Sequence, residues 1–385
     1  MELLLTDEQR MLDQSARNFI KKASPVTRMR ELRDDTESLA YDKKVFQQMA
    51  KLDWTAILLP EDQGGMGMGM ADMIVVMEAI GTGLAPEPLL PSVILAGQAL
   101  TLSGNDALID EWLDPIIEAK KVLALAYQEK QGRFDFTRVA ATAEKTDAEK
   151  TDGGYTLNGE KTQVQAGWGA DAVIVSARTS GRSGDADGIT LFLVPSNTPG
   201  LTFTRQHRVD SRNCAIVRLE NVKIPESSIV GEVDRGGEIL NTVIDMATIA
   251  LCGEMLGGIT AVFERTMAYL KTREQFDVVI GSFQALQHRA AKMFMEIELA
   301  RSAVMAAARA FDEKDAGAAA LISVAKARCS DAYVLITNEG VQMHGGIGMT
   351  DEEDVGLYMK HARVTEMTFG DAAYHRDRFA SIKGY

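Results

Sequence analysis

Arg273, Gln275 and Phe276 stand ahead of a turn at Asp277–Gly281, and Phe283, Gln284 and Gln287 open the helical stretch behind it. Arginine is a fixed cation whose planar fork of donors suits phosphate. Glutamines at a helix start add neutral donors where backbone N–H groups are also unpaired. The pattern fits an anionic, phosphate-bearing ligand, and it equally describes a charged loop running into a core helix. Further along, Gly345-Gly346 and then Gly348 end a second helical stretch. Glycines let a backbone approach a ligand closely, and they also serve as a helix C-cap and turn. This is not a nucleotide-binding GxGxxG, which would follow a strand.

The elements around these groups change character twice along the chain. Residues 1–120 read as an N-terminal helical domain. It opens on the capping box Thr6-Asp7-Glu8-Gln9, with further helices over Asp42–Leu52 and Ala71–Ile80. Gly-rich Gln63–Met70 and Pro-rich Ala85–Pro91 separate them. Residues 121–230 read as a small all-β, barrel-like domain with strands at Val122–Tyr127, Ala172–Ala177, Ile189–Val194 and Ile216–Val222. Asn158-Gly159 predicts a hairpin turn after Tyr155–Asn158. Residues 231–385 are helical again. Leu286, Ala290, Met293, Ile297, Ala300, Val304, Ala307 and Phe311 form one apolar stripe, and a second long helix follows over Ala318–Val341. Two long antiparallel helices with a short link imply a helix bundle.

The composition is ordinary for a globular chain of 385 residues, 46% hydrophobic and 25% charged. A net charge of −14 repels phosphate backbones and anionic lipid, so neither nucleic acid nor a membrane is an expected partner. The start, MELLLTDEQRM, lacks a basic leader, so no signal peptide is expected. No stretch reads as the roughly 18 apolar residues that cross a bilayer. Cys214, Cys252 and Cys329 read as reduced, buried thiols of a cytoplasmic protein. Neither they nor the histidines make a metal or triad spacing, so no metal is expected.

Residues 269–293, YLKTREQFDVVIGSFQALQHRAAKM, followed by 342–360, QMHGGIGMTDEEDVGLYMK, resemble the acyl-CoA dehydrogenase family, whose C-terminal domain carries RxQFG...FQxxQH and then QxxGGxGxT. LPEDQGGMGM at 59–68 is similar to the family's PEEYGGLG loop. GYTLNGEKTQVQAG at 154–167 is similar to its G-Y-x-L-N-G-x-K-x-W-x-T-N-G stretch, and LENVKIPESSIVG at 219–231 to its F-x-x-V-x-V-P-x-x-x-x-L-G segment. The α–β–α order agrees with that family's mainly α fold, an N-terminal helical domain, a middle β domain and a C-terminal four-helix bundle.

The resemblance implies FAD. Arg273, Gln275, Phe276, Ile280, Phe283 and Gln284 would face its adenine–pyrophosphate part, with Gln342, Gly345 and Gly346 meeting it from a second subunit. A homodimer or homotetramer is implied. The reaction would remove an α-proton and a β-hydride from an acyl-CoA thioester, with electrons passing to an electron-transfer flavoprotein. The family's flavin-contacting Thr-Glu-Pro-x-x-Gly-Ser becomes Tyr127–Arg133, and its hairpin Trp and Thr become Gln163 and Gln165, which implies flavin contacts from Gln128, Glu129 and Gln165.

The sequence departs from the family at the base. Phe369 stands where the Glu of Tyr-Glu-Gly-Thr belongs, and Ala247 and Thr248 occupy the alternative Glu-Arg position. Asp371 is the first candidate base, and it equally reads as the cap of a helix over Ala372–Ile382. Glu254 is the second, in an apolar stretch where a hydrogen-bonded structural carboxylate also fits. Asp277 replaces the Gly of RxQFG, placing an acid beside a phosphate region. His288 and His344 are expected as structural donors, and His361 and His375 as surface or interface groups. The Phe-Gly-Asp pattern resembles a bacterial branch containing pimeloyl-CoA dehydrogenase small subunits and steroid side-chain dehydrogenase subunits. In such pairs a second, distinct chain completes a heterotetramer. A working dehydrogenase, a base-less partner subunit, and a flavin oxidase or monooxygenase on the same fold all remain open at this point.

Overall fold

The computed structural model describes residues 4–35, 38–146 and 153–385. They form two compact units that do not follow chain order. One comprises residues 4–34, 69–85 and 248–385, the other residues 35, 38–68, 86–146 and 153–247.

The first unit is helical. It holds α1 (Asp7–Ala23) and α2 (Thr27–Asp34). The capping box forms as expected, with Thr6 and Gln9 exchanging side-chain bonds to each other's N–H. In the second unit, α3 (Lys43–Ala50) is capped by Asp42. The first unit continues with α4 (Met70–Gly83), which is buried along almost its whole length. The Pro-rich break then proves shorter than the sequence implies. Leu89–Gly97 is already wound as a π-helix and runs on as α5 (Gln98–Thr101). Pro91 is tolerated because it sits in the first turn, where its missing N–H has no partner to lose. These residues and α6 (Asp106–Ile117) belong to the second unit.

The second unit also carries the sheet. Its strands are β1 (Leu123–Ala126), β2 (Thr142–Thr146), β3 (Gly154–Gln165), β4 (Ala172–Arg178), β5 (Ile189–Pro195), β6 (Leu201–Arg205), β7 (Cys214–Pro225) and β8 (Ile229–Val230). They order as β6-β7-β3-β2-β4-β5-β8, with β1 paired in parallel to β4. β4 and β5 are buried almost throughout. The expected Asn158-Gly159 turn does not form. Both residues lie inside the 12-residue β3, where the register against β7 slips between Leu157 and Gly159. Asn158 Oδ1 accepts the Asn221 N–H across the slip at 2.8 Å. Gly159 is required there, since a Cβ would meet the Ala141 Cβ at 2.6 Å. Glycine serves a bulge as readily as a turn.

A 37-residue helix, α7 (Gly236–Thr272), follows, of which Thr248 onward belongs to the first unit. It contains a window long and apolar enough to cross a membrane, contrary to the sequence expectation, but 89% of that window is buried inside the protein. A hairpin of β9 (Glu274–Gln275) and β10 (Val278–Val279) leads to α8 (Gln284–Asp312) and α9 (Ala318–His344). The expected stripe on α8 buries Met293, Ile297, Ala300, Val304 and Ala307. α10 (Val355–Met367) and α11 (Ala372–Lys383) complete the chain. Within this unit α4 and α7 cross with their backbones touching. A Cβ on Gly81 would meet Glu254 O, and one on Gly257 would meet Glu78 O, each at 1.9 Å. Glu78 in turn accepts from Arg17 of α1 at 2.8 Å and Arg301 of α8 at 2.9 Å.

Candidate active site

At one end of the helical unit the two motifs singled out from sequence come together. Tyr269 on α7 and His344 on α9 lie with ring centroids 4.5 Å apart, and Arg289 on α8 reaches Glu339 on α9 at 2.5 Å. The β9–β10 hairpin turns through Phe276 and Asp277, with φ of 56° and 59°. Two left-handed residues in succession make the tight hairpin turn that matches strand twist. This explains why a glycine would serve at 277, and why aspartate, which tolerates that region, replaces it. Arg273, Gln275, Phe276 and Gln284 are exposed, Ile280 is half-buried, and the Phe276 and Phe283 rings meet edge to face at 6.2 Å. Gln342, Gly345 and Gly346 are exposed at the end of α9. Gly345 has φ 63°, and nothing lies within 4 Å of where a Cβ would stand on either glycine. His344 is buried, its Nδ1 2.7 Å from Gly340 O, whereas His288 is exposed. A free guanidinium, exposed amides, two aromatic faces and bare backbone fit an extended ligand carrying phosphate and a planar base.

The carboxylates singled out from sequence all have partners within the protein. Glu129 is 6% exposed. Its Oε1 accepts from Lys161 Nζ at 2.6 Å and from the Ala141 N–H at 3.1 Å. Its Oε2 accepts from the Ala140 N–H at 2.9 Å and from Gln131 Nε2 at 2.5 Å. Burial pushes this carboxyl up, but Lys161 and the two amides outweigh it, and it ends below its ordinary value. The expectation of a flavin contact from Glu129 meets a carboxylate turned wholly into the protein. Its neighbour Gln128 is half-buried, donates from Nε2 to Arg133 O at 3.3 Å, and accepts the Thr162 N–H on its carbonyl at 2.9 Å. Gln165 is half-buried at the end of β3, paired with Cys214.

Glu254 is 2% exposed, with Oε1 3.2 Å from His361 Nε2 on α10. Asp371 is half-buried and caps α11, its Oδ1 accepting the Tyr374 N–H at 2.8 Å. His361 and His375, expected at the surface, are both buried, at 3% and 1% exposed. Their surroundings come from other helices, which the local sequence does not display.

The turn before α11 carries the position where the family keeps its base. Phe369 there is buried and left-handed, with φ 60°, followed by Gly370 at 114°. An aromatic residue in this region is strained, by about 1–2 kcal/mol. Two buried side chains hold it. Lys326 on α9 donates to Gly370 O at 2.7 Å, Glu366 O at 3.0 Å and Ser330 Oγ at 3.0 Å. His375 Nε2 lies 3.1 Å from Phe369 O. Burial pulls the Lys326 ammonium down to about 8, and burial together with Lys326 pulls His375 down to about 3. Sequence reading missed this clamp, although a lone lysine in ALISVAKARC was its visible sign.

A helix bundle whose end exposes Arg273, Gln275, Gln284 and the bare glycines 345 and 346, and a separate unit carrying the sheet, describe an α–β–α protein with a candidate anion-binding end. The chain belongs to the acyl-CoA dehydrogenase family. It matches that family's N-terminal domain over residues 6–120, its middle domain over 124–222 and its C-terminal domain over 234–382. Among similar proteins, the short-chain specific acyl-CoA dehydrogenase of Megasphaera elsdenii is 29% identical, over 96% of each chain. The caffeyl-CoA reductase-Etf complex subunit CarC of Acetobacterium woodii is 28% identical over 94% of each. A chain of the ChsE4-ChsE5 complex from Mycobacterium tuberculosis superposes with a TM-score of 0.88 at 26% identity, covering 100% of this chain and 99% of that one. The chain is thus of an FAD-dependent oxidoreductase family acting on acyl-CoA thioesters.

Proposed function

We propose that this chain is the base-less member of a two-chain acyl-CoA dehydrogenase. It would hold FAD while a second family chain supplies the carboxylate that removes the α-proton. The observation that carries this reading is that neither family base position holds a carboxylate, and that the carboxylates singled out from sequence already have structural work. Phe369 and Ala247 occupy the two base positions, and Asp371 caps α11. Glu254 faces His361, and Glu129 is saturated by Lys161 and backbone amides. The two-protein complex named for the Mycobacterium tuberculosis relative favours the same arrangement.

FAD, when bound, accepts the β-hydride. Arg273, Gln275 and Gln284 would hold its pyrophosphate, with Phe276 and Phe283 beside the adenine. Gln342, Gly345 and Gly346 would complete the grip on the FAD of a neighbouring subunit. Gln128 and Gln165 would face the flavin ring. The Etf complex named for the Acetobacterium woodii relative favours an electron-transfer flavoprotein as acceptor.

The test is anaerobic bleaching of the flavin by a panel of acyl-CoA esters. The chain purified alone should not bleach. Co-expressed with a family chain carrying a base, it should bleach at turnover rates. Bleaching by the isolated chain would overturn the reading in favour of a second one, in which half-buried Asp371 is the base. Asp371→Asn should then abolish bleaching with FAD retained.

A further inference from the structure

Residues 129–141 leave the end of β1 and return to the start of β2 as a closed loop, and Glu129 closes it. Its carboxylate binds the Ala140 and Ala141 N–H groups, so the first residue of the loop grips the last two. Beneath the loop, Lys161 of β3 donates to Glu129 at 2.6 Å and to Ser176 Oγ of β4 at 3.0 Å, with no exposed surface of its own. Arg178 of β4 donates to Thr137 O in the middle of the loop at 2.6 Å, and its backbone N–H reaches Ala141 O at 2.7 Å. The exposed tip, Arg133 with φ 49°, is tied back by Gln128 Nε2. Glycine at 132 is close-packed, since a Cβ there would meet Asp135 O at 2.9 Å.

We propose that Lys161 and Glu129 are positioning residues for FAD. Their buried ion pair holds the 129–141 loop shut on its root, and so sets Gln128 and the loop backbone toward the flavin, in place of Glu129 touching it. This rests on the assignment of Gln128 to the flavin side made above. Breaking one member of a buried pair strands the other charge, whereas neutralising both need not.

The experiment compares the full chain with Lys161→Met and with the double variant Lys161→Met/Glu129→Gln, which carries no stranded charge and keeps an acceptor for only one of the two loop amides. Two readouts are taken beside urea unfolding: hydrogen exchange of peptides spanning 129–141, and quenching of free FAD fluorescence on titration. Lys161→Met should speed exchange in this loop selectively and raise the Kd for FAD at least tenfold. The double variant, with no charge stranded, should regain stability in urea but keep the fast loop exchange and the weakened FAD binding, because the pair that anchors the loop is gone. Exchange unchanged in 129–141, or raised equally across β4 and β5, overturns the anchor, as does a wild-type Kd in Lys161→Met. Where Lys161→Met does not fold, the double variant decides alone. Fast exchange in 129–141 with weakened FAD binding then supports the anchor, and loop exchange and FAD affinity close to wild type sink it. If the wild-type chain takes up no FAD, with or without a partner chain, the proposed function fails while the exchange readout still judges the anchor.

Discussion

Among the described residues each of the two units buries one lysine, and the two are satisfied differently. Lys161, under the β-sheet loop, has a carboxylate at 2.6 Å. Lys326, under the turn before α11, has two carbonyls and a hydroxyl. Burial draws both ammonium groups down to about 8, with Glu129 opposing the fall for Lys161. An ion pair fixes a position only while both members are present, because each is the other's compensation. An ammonium satisfied by neutral acceptors carries its desolvation cost permanently, and deleting it also removes that cost. The β unit therefore holds its loop by a mutual dependence, and the helical unit holds its turn by hydrogen bonds whose strength is charge-assisted on one side only.

That contrast can be broken by experiment. Lys161→Met should lose about 3–5 kcal/mol of unfolding free energy in urea, because Glu129 is left charged and buried. The turn is next. His375 is drawn from 6.5 down to about 3, so between those values the unfolded chain binds the proton and the folded chain does not. Stability should fall by about 1.4 kcal/mol for each pH unit lost in that window. His375→Gln, which can still donate to Phe369 O, should flatten this slope; an unchanged slope would assign the acid sensitivity elsewhere. The smallest effect is expected for Lys326→Met, about 1–2 kcal/mol, since the orphaned carbonyls are offset by the relieved desolvation. Equal losses for the two lysine variants would erase the distinction.

Much of the architecture is legible because it rests on local pattern. The α8 stripe, the Thr6 box and the apolar runs of β4 and β5 all announce themselves within a few residues. The exposed end from Arg273 to Gln284, and the bare glycines at 345 and 346 that lie at the same end of the helical unit, are legible for the same reason. What the sequence conceals is partnership. Glu254 and Asp371 look alike as candidate bases, and Glu129 reads as a flavin contact, until His361, the Tyr374 amide and Lys161 are seen beside them. His361 and His375 read as surface groups because the helices that bury them are remote in sequence. Asn158-Gly159 misleads because a bulge and a turn call for the same residue pair.

The contact between α4 and α7 at Gly81 and Gly257 has a bearing on how the chain is made. Helices that leave the ribosome first have to wait for residues after 248 before their packing surface exists, so the helical unit closes late and through distant contacts. Until then α4, buried along almost its whole length in the finished fold, has α1 on one side and leaves the surface that α7 will cover open to water.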